Sequence, residues 1–321
     1  MFEQAYKEII ERLFSENIPG FVEAREFCMG GGKRVRPKLL LDSAGVWGAD
    51  QGAALKAALG IELLHHYLLV HDDIMDGDDL RRGQPTLHAD YISKYGERRG
   101  QGMAIAVGDY LANEALSCFA SATDDSNKNS ELFRTASEIT RQTILGQLRE
   151  YIPNTDWTME ELQNFYAYKT AAYSVRLPWL AADILSGSKE DRRSDIVRGA
   201  DELGVAYQFK DDLIEFLGEK KRDIHGLKSD LARGKMTVIN RLILDALQNE
   251  ERDQLLNDWK REGLLSQERV QELTKFAHEK GIPDQVQFII NERVESARET
   301  LKTLGLLETQ SVKMLFDLLS S

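Results

Sequence analysis

Residues 51–76 read QGAALKAALGIELLHHYLLVHDDIMD, and the way this stretch folds decides the rest. It predicts one unbroken helix of about 26 residues, some 39 Å at 1.5 Å per residue, long for a globular protein. Its alanines and leucines between Ala53 and Val70 face almost every direction, which marks a helix buried inside a bundle. Yet it ends in His71, Asp72, Asp73 and Asp76. Asp72 and Asp76 are four residues apart, so their carboxylates lie one turn apart on one face, with Asp73 rotated by about 100°. Such carboxylates repel one another and lose hydration at the end of an apolar helix; a hard divalent cation offsets both effects. Mg2+ commonly bridges one or two carboxylates to substrate phosphates. A solvated helix end is the rival reading of DDxxD alone, since Asp78 and Asp79 extend the acidic run. His65 and Leu68 continue the Asp72 face upstream, although a histidine there is equally read as a core residue, and His66 stands beside it.

Outward from this helix the same periodicity continues. Only 6 prolines interrupt 321 residues, apolar residues recur at three- and four-residue spacing, and strand-like alternation is hard to find. The expected fold class is all-α: a single domain, residues 1–321, of packed helices. Helices are expected over Phe2–Ser15, Pro37–Val46, Gln51–Asp76, Gly102–Ala120, Asn129–Glu150, Glu160–Ala172, Tyr173–Ser186, Asp191–Phe216 and Lys235–Leu247, with more toward the end. Loops are expected near Gly30–Arg36, Asp78–Pro85, Thr123–Asn129 and Gly218–Arg233, none of them a Pro/Ser-rich linker. The balance of 41 Lys and Arg against 53 Asp and Glu, a net charge of −12, argues against nucleic-acid binding and against a cationic membrane-surface helix. Cys28 and Cys118 stand far apart without a CxxC, so neither a disulfide framework nor a zinc site is expected. The opening MFEQAYKEII has no signal-peptide pattern, and no apolar run reaches the roughly 18 residues of a membrane span. A cytoplasmic protein without an anchor is the expectation.

A second acidic cluster repeats the design. Gln208, Asp211 and Glu215 share one helical face at i, i+3, i+7 spacing, with Asp212 beside them. Two such clusters facing each other across a cavity would hold several Mg2+ ions on one diphosphate and let it leave without a protein nucleophile. No nucleophilic triad is apparent. Phosphate also needs cations. The loop Gly30-Gly31-Gly32-Lys33-Arg34-Val35-Arg36-Pro37 supplies three of them before a helix whose first turn Pro37 suits. It lacks the order of a Walker loop. Arg81-Arg82-Gly83 follows the first cluster, Lys169-Thr170 lies near the middle, and Lys235 follows Gly234. Any one of these is equally a solvated surface charge.

Together, GGKRVRP (Gly31–Pro37), ELLHHYLLVHDDIMDGDDLRRGQPTLH (Glu62–His88), YKT (Tyr168–Thr170) and QFKDDLIE (Gln208–Glu215) resemble the trans-isoprenyl diphosphate synthases, over about residues 30–240 in the family's order and spacing. The resemblance implies an isoprenoid synthase fold around a deep central cavity, usually a homodimer, that ionises an allylic diphosphate, condenses it with isopentenyl diphosphate and eliminates a proton. Carried over residue by residue, it puts Mg2+ on Asp72, Asp76 and Asp211, with Asp73, Asp212 and Glu215 in support. Lys33, Arg36, His65 and Arg82 would hold isopentenyl diphosphate. Arg81, Lys169 and Lys235 would hold the allylic diphosphate, and Gln208 and Thr170 would sit where the carbocation forms. Glu215 and Glu150, the latter in GQLRE, stand where the family usually has Asp. The segment IHGLKSD has His225 near the place of a family lysine, with Lys228 shifted. In the resembling family a large aromatic five residues before the first Asp goes with short products. Here it is Tyr67, with Leu68 and Leu64 as further barriers, so geranylgeranyl diphosphate is expected, with farnesyl or a longer product as the alternative. A terpene cyclase would have no use for Lys33, Arg36 and Arg82, and a non-catalytic synthase subunit should have lost site residues that are present here.

Overall fold

The structure is a computed structural model that describes residues 1–150, 157–187, 191–218, 229–260 and 264–320. It is helical, as expected; among the described residues the one strand pair is the antiparallel hairpin of Leu80–Arg81 with Gln84–Pro85, inside the expected Asp78–Pro85 loop. The chain forms two compact units. One comprises Met1–Glu138, Leu177–Asp191 and Thr309–Ser311; the other comprises Ile139–Arg176, Arg192–Glu308 and Val312–Ser321.

In the first unit the long helix runs from Gln51 to Asp76, as its sequence predicts. Asp50 starts it by accepting the Ala53 N–H at 2.8 Å. Gly77, at φ 62°, stops it in the left-handed conformation that turns the Asp78 N–H back onto the Asp73 carbonyl at 3.0 Å. The helix is long and apolar enough to cross a membrane, in spite of Lys56 and Glu62, but 67% of its most apolar window is buried within the protein. The Glu97–Ala120 helix packs along it. Two glycines permit the close approach: a Cβ on Gly60 would stand 3.0 Å from the Ala115 carbonyl oxygen, and one on Gly108 would stand 2.4 Å from the His71 ring. Val35–Val46 flanks the long helix, and Leu177–Ser186 packs on both. Periodicity missed Phe21–Met29 and Leu87–Tyr95, each only 9 residues long. Phe21–Met29 buries just Ala24 and Cys28, too few positions to show a repeat. Cys28 and Cys118 are free thiols, both buried.

The second unit is organised around Arg193–Phe216, which packs on Ile282–Thr303 and on Ala167–Arg176. Two α-helices meeting at Ala172 and Tyr173 were the expectation here. Instead Met159–Tyr166 leads into a π-helix, Ala167–Arg176, followed by Leu177–Ser186. The widened turn lies where neighbours come close without side-chain spacers. A Cβ on Gly204 would stand 2.4 Å from the Ala171 Cα, and one on Gly146 would stand 3.1 Å from the Lys169 Cβ. Nothing in the three- and four-residue spacing announces an i→i+5 turn, so periodicity could not find it. The helix expected from Lys235 begins at Val238, because the Thr237 hydroxyl accepts the Asn240 N–H at 3.2 Å and fixes the start there.

Candidate active site

The DDxxD end of the long helix separates its three carboxylates by environment. Asp72 and Asp76 are partly exposed on one face, whereas Asp73 is 1% exposed. Burial pushes the Asp73 carboxyl up to about 6, against the pull of the Arg81 guanidinium. Arg81 grips it by two nitrogens: Nε donates to Oδ1 at 2.8 Å and Nη2 donates to the same oxygen at 2.5 Å. Arg81 Nη2 also lies 3.8 Å from Asp72 Oδ2. The hairpin therefore returns a cation to the acidic face, and Asp73 orients it. His71 turns away, its Nε2 3.3 Å from the Ile105 carbonyl oxygen and 3.6 Å from Asp109 Oδ1.

The next residue, Arg82, takes φ 54°, a backbone conformation that costs a non-glycine residue energy. The turn carries its Nη1 to the Gly31 carbonyl, and Gly32 leaves it room, since a Cβ there would stand 2.8 Å from that nitrogen. Arg82 thus joins the loop that bears Lys33, which is exposed, and Arg36, whose Nη1 stands 3.4 Å from His65 Nε2. Burial first, and then Arg36, hold His65 well below the usual imidazole range, so it is neutral at pH 7. Of the three cations in the loop, Arg34 is otherwise engaged. It is buried at φ 49°, donates to Glu62 Oε1 at 2.5 Å and to the Cys28 carbonyl at 3.2 Å, and lies 4.6 Å from the centre of the Tyr6 ring. Tyr67 packs edge-on against His71 at 4.8 Å on the Glu97–Ala120 side, Leu64 is buried, and Leu68 is half-buried.

In the second unit Asp211 is partly exposed, while Asp212 and Glu215 turn inward. Asp212 Oδ2 accepts the Tyr166 hydroxyl at 2.6 Å, and its Oδ1 accepts Gln208 Nε2 at 2.9 Å. Burial pushes this carboxyl up to about 7 although both bonds favour its charge. Glu215 Oε1 accepts the Asp230 N–H at 3.0 Å. The π-helix presents Lys169 and Thr170, and the Thr170 hydroxyl donates to Gln208 Oε1 at 2.8 Å. Thr170, Gln208, Asp212 and Tyr166 form one relay. Lys169 and Lys235 both reach Glu150. His225 and Lys228 lie outside the described residues.

Among the described residues no three carboxylate, histidine or cysteine side chains gather into a closed metal cage. Half-exposed carboxylates such as Asp72 and Asp76 still suit Mg2+, which keeps few protein ligands and takes the rest from phosphate oxygens and water. Residues 22–277 match the family of the polyprenyl synthetases. The chain belongs to that family. It is 32% identical over 234 residues to the short chain isoprenyl diphosphate synthase of Methanocaldococcus jannaschii, covering 73% of this chain and 68% of the relative. It is 34% identical over 220 residues to the geranylgeranyl diphosphate synthase of Saccharolobus solfataricus, covering 65% and 61%. The crystal structure of a geranylgeranyl pyrophosphate synthase from Corynebacterium glutamicum, complexed with isoprenyl diphosphate and magnesium, superposes with a TM-score of 0.82 over 99% of this chain and 97% of that one. At 21% identity that likeness shows the fold.

As a polyprenyl synthetase the chain is a prenyltransferase, an enzyme of prenyl diphosphate synthesis. Four site neighbours escaped the sequence reading: Glu62, Tyr6, Tyr166 and Gly204. Glu62 carried a signal, an acid in the middle of an otherwise apolar helix. Tyr6 and Tyr166 carried none, because long-range partners are invisible to local spacing.

Proposed function

We propose that this polyprenyl synthetase makes geranylgeranyl diphosphate by Mg2+-dependent condensation of isopentenyl diphosphate with an allylic diphosphate. Asp72, Asp76 and Asp211 would hold several ions together with the allylic diphosphate; when bound, Mg2+ supplies positive charge that makes the diphosphate a competent leaving group. The Asp73–Arg81 pair carries the reading. It holds a guanidinium beside the Asp72 carboxylate, where a diphosphate oxygen would need one. Lys169 and Lys235 would hold the same diphosphate. Lys33, Arg36, His65 and Arg82 would hold isopentenyl diphosphate, a neutral imidazole donating one hydrogen bond among the cations. The allylic C–O bond breaks, the isopentenyl double bond attacks the resulting carbon, and the departing diphosphate takes the proton. Gln208, fixed by Asp212, and Thr170 would offer oxygen dipoles to the passing cation.

The product length follows from Tyr67, read as the floor of the elongation cavity, with Leu68 and Leu64 next along the helix. Farnesyl diphosphate is the second reading, since a ruler in that place fits either length. A single prenyl synthase domain is supported by one family match that runs through residues of both units. A cytoplasmic homodimer completes the proposal, to be checked by light scattering of the purified protein. Incubation with isopentenyl and farnesyl diphosphates plus Mg2+, followed by chromatography of the dephosphorylated products, should yield geranylgeraniol. Condensation with geranyl but not farnesyl diphosphate would favour the farnesyl reading, no condensation with either primer would overturn the reaction, and a longer alcohol would overturn the length.

A further inference from the structure

Two ammonium groups share one carboxylate in the second unit. Lys169 Nζ, from the π-helix, donates to Glu150 Oε2, and Lys235 Nζ, from the turn behind Gly234, lies 3.1 Å from Glu150 Oε1. All three side chains are largely buried, at 13% exposure for Glu150, 17% for Lys169 and 18% for Lys235. The backbone makes the bridge possible. Gly146 stands one turn before Glu150 and brings its helix against Lys169, so that the glutamate arm reaches the amine. Lys235 is fixed from its own side: its N–H donates to the Asp230 carbonyl at 3.0 Å, and its carbonyl accepts Asn240 Nδ2 at 2.7 Å.

A carboxylate between two ammoniums offers the charge and the paired oxygens that one edge of a phosphate would offer. We propose that Glu150 is a positioning residue that occupies the place of the allylic diphosphate between Lys169 and Lys235 until that diphosphate displaces it from at least one of them. The inference rests on the reading that these lysines hold the allylic diphosphate. Glu150 keeps the two ammoniums, which repel each other, in register while the site is empty of substrate, and it competes with any bare diphosphate that would load there.

Titration calorimetry with inorganic pyrophosphate in EDTA, on the full chain, tests this. Glu150→Gln keeps the shape and removes the charge, and it should tighten pyrophosphate about tenfold or more, one charge-assisted contact. The double variant Glu150→Gln/Lys235→Gln should lose that gain, which localises it. A carboxylate with a purely structural role gives the opposite sign, because the lysines would scatter. Unchanged or weaker binding in Glu150→Gln overturns the proposal. If Glu150→Gln does not fold by circular dichroism, Glu150→Ala, which also removes the charge, is read by the same sign. Lys169→Gln and Lys235→Gln should each weaken pyrophosphate. If they do while Glu150→Gln fails to tighten it, the role of Glu150 falls alone; if neither does, the assignment of the lysines falls with it.

Discussion

Arg34 and Arg36 stand two residues apart in GGKRVRP and have opposite tasks. Arg34 points into the protein, where Glu62, the Cys28 carbonyl and the Tyr6 ring take its charge. Arg36 points to His65. Removing one member of a buried ion pair leaves the other uncompensated, so Arg34→Ala or Glu62→Ala should cost about 3–5 kcal/mol in urea unfolding. Arg36→Ala should leave stability nearly unchanged and raise the KM for isopentenyl diphosphate about ten- to hundredfold, with little effect on the allylic substrate. Equal effects on both substrates would contradict the assignment of Arg36. His65 adds a pH dependence. Burial holds its pKa below the ordinary 6.5. Below that pH the unfolded chain takes up a proton that the folded imidazole refuses, so its contribution to stability falls as the pH drops. Asp73 and Asp212, pushed up to about 6 and about 7, act in the opposite sense. The readout is therefore a difference: between pH 7 and 5, His65→Gln should lose less stability than the parent protein, and parallel curves would refute a buried neutral His65.

At the scale of elements, two glycine seams set how closely the helices approach. Gly60 and Gly108 let the long helix and Glu97–Ala120 approach until the His71 ring fills the space over Gly108. Tyr67 lies in this seam rather than on the Asp72 face, as the rotation of about 140° between the two positions requires. A growing chain guided along the helix would meet Tyr67 only if it ran beside this seam. Tyr67→Ala should then lengthen the product by at least one isoprene unit, read by chromatography, and Leu64→Ala, one turn of about 5.4 Å from Leu68, should extend it further. An unchanged product from an active Tyr67→Ala enzyme would move the ruler to Leu68, Leu64 or a neighbouring helix. The Gly204 seam works similarly in the second unit, pressing the π-helix against Arg193–Phe216 so that Thr170 meets Gln208.

At the scale of the whole molecule, Asp72 lies in the first unit and Asp211 in the second, and both are among the aspartates proposed to hold Mg2+. Asp72→Ala and Asp211→Ala should therefore each abolish turnover while the helical circular dichroism stays that of the parent, and near-native activity of either at saturating Mg2+ would end the two-cluster mechanism. The sequence announced much of this plan. The Gln51–Asp76 helix was legible to the residue because a long apolar run between Asp50 and Gly77 carries its own start and stop signals. Both acidic motifs and the cations around them were legible as spacing. Spacing could not tell Asp73 from Asp72, or Arg34 from Arg36, since burial separates each pair and burial comes from distant partners. The π-helix was hidden because an i→i+5 turn leaves no mark in three- and four-residue spacing. The two thiols carry a practical consequence. Cys28 and Cys118 are buried, and burial pushes both well above the ordinary thiol range, Cys118 to about 11. Thiolate is the reactive form, so neither should react with maleimides at neutral pH while the protein is folded. A single cysteine placed at an exposed position would then take a fluorophore alone, and the wild-type chain needs no cysteine removed before it is labelled.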